Sequence, residues 1–240
     1  MSRRTPRTCG DELLLARISA AAGREHIGKR RATYAAAVHT TPSHAVPVRV
    51  IRGLLAFARY GRPCGTKAGA EARLDLYERG MTIAVKGRIH VVRYDTTAVF
   101  RKSIRNRHDS ARVGTTRIYT LIDVDGERVV LQGRPADSAA AEWEPEIQRA
   151  VTHAQLPWAW AALDNGERLT FGDIWLTKEK AGSGEVSARW PQVQQIEMKD
   201  GAISLNIDGN WSILGPMVSQ VPNLFVLCKL VERLRADGTC

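Results

Sequence analysis

With 240 residues, 44% hydrophobic content and 25% charged content, the chain is long enough for one large or two small cores, and its composition excludes wholesale disorder and a fibrous repeat. No apolar run reaches the roughly 20 residues that span a bilayer, and the start, MSRRTPRTCGDELLL, lacks the apolar stretch of a signal peptide. The net charge of +10 sits entirely in residues 1–70, which carry 13 Lys/Arg against 3 Asp/Glu, whereas residues 71–240 carry 22 of each.

Residues 1–70 therefore read as a basic N-terminal arm, partly helical or disordered. Asp11 can cap a helix with Leu14, Leu15, Ile18 and Ala22 on one side, and Gly23 ends it. A second helical face takes in Ile27, Tyr34 and Val38, beside Lys29, Arg30 and Arg31. Thr41–Pro47 reads as a linker because its two prolines oppose a helix. Val48–Arg62 is apolar but interrupted by Arg49, Arg52 and Arg59. It either packs on the body as a helix or lies on a membrane surface with Ile51, Leu54, Leu55 and Phe57 inward.

From Ala72 the pattern alternates. RLDLYERG, MTIAVKG and RIHVVRYD are short strands broken at Gly80 and Gly87, and TTRIYTLIDVDGERVVLQG (Thr115–Gly133) is a hairpin about Asp125-Gly126. A helix within Ala139–Leu163 presents Trp143, Ile147, Ala150, Val151 and Ala154. Pro145 fits its first turn, and Pro157 starts a second helical piece ending at Asn165-Gly166. The same order then recurs. RLTFGDIWLT, EVSARW and QVQQIEMKDGAISLNI give short strands, the last around Asp200-Gly201. A closing helix begins near Pro222 with Leu224, Leu227, Cys228, Val231 and Leu234 at helical spacing. Cys9, Cys64, Cys228 and Cys240 are far apart and read as reduced thiols of a cytoplasmic protein.

Several antiparallel strands followed by one helix, twice over, resembles the pleckstrin-homology-like fold in tandem. The residues that carry the likeness are LYERGMTIA (Leu76–Ala84) and VVRYDTTAV (Val91–Val99) in the first block. In the second they are LTFGDIWLT and SARWPQVQQIEMKDGAISL. The stretch Ala72–Ala236 also resembles an uncharacterised family of tandem pleckstrin-homology-like proteins from high-GC bacteria, with LYERG, VVRYD, IQRAVTHAQLP and RLTFGDIWLT as its hallmarks. The resemblance implies a mainly β, α+β architecture. Residues 72–165 and 167–238 would each form a barrel ended by a capping C-terminal helix. It implies no activity.

No nucleophile elbow, phosphate loop or zinc-protease motif is present, so no catalytic residue, metal or cofactor is expected. Glu142, Glu144 and Glu146 cluster at a helix start, where the macrodipole favours carboxylates. RKSIRNRHDSAR (Arg101–Arg112) reads as a long connecting loop. Its Arg101, Lys102, Arg105, Arg107 and Arg112, with Lys29, Arg30 and Arg31 of the arm, are the candidates for an anionic ligand. The expectation is a non-enzymatic binding or scaffold protein that meets a protein or peptide partner, or itself. The alternative is a peripheral binder of anionic surfaces through the basic arm, membrane before nucleic acid. An enzyme of unrecognised type stands third.

Overall fold

The computed structural model describes residues 9–41, 70–108, 112–133 and 138–238. The chain opens with helix α1 (Cys9–Arg24) and strand β1 (Arg30–Thr41). Then come β2 (Ala70–Tyr77), β3 (Gly80–Val85), β4 (Arg88–Arg93), β5 (Val99–His108), β6 (Arg112–Ile122) and β7 (Arg128–Gly133). These seven strands form one antiparallel sheet in the order β4-β3-β2-β1-β7-β6-β5. β1 is its centre, pairing Val38 with Ala70 on one side and with Leu131 on the other.

The segment bearing Ile27, Tyr34 and Val38 was expected to be helical, and from Arg30 onward it is a strand. Its alanines favour a helix in isolation, but two partner strands supply ladders on both sides, and tertiary pairing overrides local preference. The Arg101–Arg112 segment is not a loop. β5 and β6 pair from Val99↔Leu121 out to His108↔Arg112, so the arginines ride on a long hairpin.

The sheet is buried on two sides. Its inner face packs Leu74, Met81, Ile83, Tyr119 and Leu131 into one core. Across the outer face lies α1, whose Ile18 and Ala22, with Ile27, meet Tyr77, Ala84 and Val91. All six residues of β3 are consequently buried. Gly80 permits this closeness, because a Cβ there would stand 2.5 Å from the Val92 carbonyl and 2.7 Å from Ile27.

A helix α2 (Ser138–Asp164) follows, then β8 (Leu169–Phe171), β9 (Ile174–Leu176), β10 (Lys180–Ser183) and β11 (Val186–Arg189). β12 (Val193–Lys199), β13 (Ala202–Ile207), β14 (Asn210–Ile213) and helix α3 (Leu224–Gly238) complete the chain. These strands make two antiparallel sheets, β11-β10-β9-β8 and β12-β13-β14. Seven strands and a helix thus occur twice in succession. Among the described residues no hydrogen-bond ladder closes either set into a barrel.

Where two helical pieces were expected at Pro145 and Pro157, α2 is one helix of 27 residues with both prolines inside it. Its first half gives Trp143, Ile147 and Val151 to the first core, and its second half gives Ala159, Ala162 and Leu163 to the second. A polar knot ties the blocks together beside it. Asn223, buried and at φ +47°, donates through Nδ2 to the Thr97 carbonyl (3.0 Å) and to Gln155 Oε1 (2.8 Å), and accepts from the Val99 amide (2.8 Å). Gln155 on α2 in turn donates to the carbonyls of Tyr94 and Thr97. Every polar atom of both side chains that faces the interior is satisfied, as low-dielectric burial demands.

Candidate functional site

An apolar concavity lies in the second block, between the β12-β13 hairpin and α3. Asp200 and Gly201 take φ of +52° and +79°, the two positive values of a type I′ turn, which fixes the register Lys199↔Ala202. Alternation then sends Ile196 and Met198 of β12, with Ile203 and Leu205 of β13, to one face. On α3, Leu227, Cys228 and Val231 recur at helical spacing and face them. Between these walls is a half-open cavity of about 220 Å³, floored by Leu176, Trp190 and Leu214.

Polar groups at its rim are already engaged. Arg235 donates to the Gln194 carbonyl at 2.7 Å, and Lys229 holds Glu232 at 2.7 Å. The Trp190 indole on the floor donates to the Thr177 carbonyl at 3.1 Å, which fixes the ring. Burial pushes the Cys228 thiol up from its ordinary range, so it lines the cavity as a neutral, weakly polar group. One wall of the cavity is β12, which among the described residues pairs on one side only, with β13. An apolar cleft flanked by a one-sided strand can take an extended chain with an apolar side chain pointing inward.

In the first block two aromatic residues fill the core beneath α2. Trp143 of α2 is fully buried edge-on to Tyr119, their centroids 5.5 Å apart at 76°. Gln148 donates to the Tyr119 hydroxyl. Burial raises the pKa of that phenol and of Tyr94.

The basic candidates from the sequence separate into groups. Lys29, Arg30 and Arg31 are exposed at the start of β1, and Arg101 and Lys102 are exposed on β5. Arg105 and Arg107 sit further along β5, and Arg112 opens β6 opposite His108. The register carries the start of β1 and the tip of the β5-β6 hairpin to the same end of the sheet, on strands three positions apart. Part of that charge is neutralised. Arg30 lies 3.6 Å from the buried Asp75, which Arg73 also grips at 2.7 Å. Ile51, Leu54, Leu55 and Phe57 lie outside the described residues. β1 spans roughly 36 Å at the rise of an extended strand, so the chain leaves it far from Arg30. Of the helix-start glutamates, Glu144 is buried and paired with Arg117 at 3.0 Å, a role beyond the macrodipole.

One cluster escaped the sequence. His90 on β4 places Nδ1 2.8 Å from Asp123 Oδ2 and 3.5 Å from Glu127 Oε2, close enough for the trio to hold a cation. The donor set does not suit one. Arg88 takes Glu127 at 3.0 Å, the amides of Asp125 and Glu127 take Asp123 Oδ1, and the buried His90 Nε2 has no partner. A metal-bound imidazole hands its other N–H to an acceptor. The trio works instead as a clasp, and with the Val124 amide on the Val91 carbonyl (2.9 Å) it pins β4 to the β6-β7 turn. The separation of 33 positions between His90 and Asp123 carries no spacing signal.

No curated protein matches this chain. A family model does match, over residues 70–238, from the first residue of β2 to the last of α3. The chain belongs to DUF6585, a family of unknown function.

Proposed function

We propose that the chain is a non-catalytic binding protein of two pleckstrin-homology-like units, residues 30–164 and 167–238, and that the second unit takes an extended peptide segment between β12 and α3. The observation that carries this reading is the apolar cavity of about 220 Å³ walled by a strand that, among the described residues, pairs on one side only. The succession of seven antiparallel strands and a helix, twice, supports the two units. β1 belongs to the first of them because it joins β2 to β7. A peptide strand added to β12 gains a backbone ladder, and one inward side chain of leucine, methionine or phenylalanine size fills the cavity. The lining is apolar and its rim groups are paired, which favours binding over chemistry.

The test is selection of random displayed peptides on the full chain and on a Cys228→Trp variant, whose indole would occupy the cavity. Peptides with a recurring apolar anchor should be enriched by the parent and lost with the variant. Enrichment indifferent to the filled cavity, or none at all, defeats the proposal. Backbone amide shifts confined to Ile196–Lys199 on peptide addition would fix the docking edge.

A second reading rests on the basic residues gathered at one end of the first sheet, the start of β1 and the β5-β6 tip. It makes the chain a cytoplasmic protein that is peripheral to an anionic surface. No described helix is long and apolar enough to cross a membrane. Sedimentation with anionic vesicles should then fall steeply between low and physiological salt. Binding insensitive to salt would exclude it.

A further inference from the structure

The two blocks treat their last strand differently. β7 is sealed on its second side by the long β1. Among the described residues its counterpart β14 pairs with β13 alone, because β8, the counterpart of β1, has three residues and pairs only with β9. β14 therefore presents an open edge. Trp211 and Ile213, two residues apart and so on one face, are 49% and 65% exposed there. Beside them on β13 stand Asn206 and Ser204. Neither β13 nor β14 contains a charged residue or a proline, the devices that usually guard an edge.

We infer that this edge pairs with the same edge of a second copy of the chain. The strand is self-complementary. A two-fold axis through Ser212 sets Trp211 of each copy opposite Ile213 of the other, and aromatic with β-branched residues make favourable cross-strand pairs. Both exposed side chains are covered at once, and no like charges meet. The union makes a continuous six-stranded sheet from the two three-stranded ones. Four-residue edges bury less than the roughly 1,200 Å² of a standard interface, so the dimer is weak and forms with rising concentration. The β12-α3 groove lies at the opposite edge of the same small sheet and stays open, so this inference is independent of the peptide reading.

Sedimentation velocity of the full chain, from low to high micromolar protein, tests it. The weight-average sedimentation coefficient should climb from monomer toward dimer. The double variant Trp211→Lys, Ile213→Lys should remain monomeric throughout, with the parent's melting temperature, since both positions are exposed. Trp211→Phe should still associate. A parent that stays monomeric at every concentration overturns the inference, and so does a double variant that associates as the parent does. Monomeric parent with strand-like peptides protecting β14 amides would assign the edge to a foreign strand instead.

Discussion

The two blocks share an order of elements and differ in how well they are sealed. In the first, a twelve-residue strand at the centre joins two halves into one seven-stranded sheet, and α1 covers the outside. In the second, a three-residue strand cannot reach across, so two sheets remain, one with an apolar cavity and an open edge. The helices differ too: α2 plugs its core with Trp143, whereas α3 lines a cavity with Leu227, Cys228 and Val231. A difference of nine strand residues thus separates one continuous sheet from two smaller ones.

The largest effect should come from removing the seal. A chain beginning at Ala70, the first residue of the family match, lacks β1 and α1. Both β2 and β7 then become edges, and the outer apolar face is bare. Loss of the near-ultraviolet signal of the first core and of a cooperative melt is expected. A shortened chain that melts like the parent would show the seal to be dispensable. Next, Trp143→Ala should cost about 3–5 kcal/mol, because a fully buried indole leaves a large void. Trp211→Ala should cost within about 0.5 kcal/mol, because half of that ring already meets solvent. Equal denaturation midpoints for the two variants would erase the contrast between plug and open edge.

Asn223→Ala should follow at about 2–4 kcal/mol, since it leaves the Val99 amide and Gln155 Oε1 buried and unpaired. Separate melting of the two blocks in that variant would sharpen the comparison further, by showing that the knot alone synchronises them. The smallest effect is alkaline. All five tyrosines precede residue 120, so phenolate absorbance reports on the first block only. Burial raises the Tyr94 and Tyr119 pKa values in the folded state. Their contribution is therefore complete below the unfolded value near 10 and is lost as pH rises beyond it. Tyr94→Phe should flatten that decline, measured as midpoint against pH. An unchanged slope would mean that the phenol ionises without opening the core.

What could be read beforehand follows from range. Lys86-Gly87 and Asp200-Gly201 announce hairpins because the turn chemistry is local, and the α3 stripe announces a helix for the same reason. β1 was hidden because its run of alanines speaks for a helix, while the strands that claim it are 30 and more residues away. The β5-β6 hairpin was hidden because its charges carry no apolar alternation. The cavity was invisible because its walls, Ile196 and Val231, belong to elements with no common period. Of the residues proposed for ligands, the basic ones were legible by charge, yet Asp75, which lies 3.6 Å from Arg30 and draws part of its charge, was not.

The shared helix sets a timetable. α2 emerges from the ribosome with its first half ready to dock on finished strands, but its second half faces a core whose strands and closing helix are still unmade. The roughly 75 residues that follow it take about 4–15 s to synthesise at usual rates. Throughout that interval Leu163 and its apolar neighbours have nothing to cover them, which makes the second half of α2 the segment a chaperone would hold on a nascent chain.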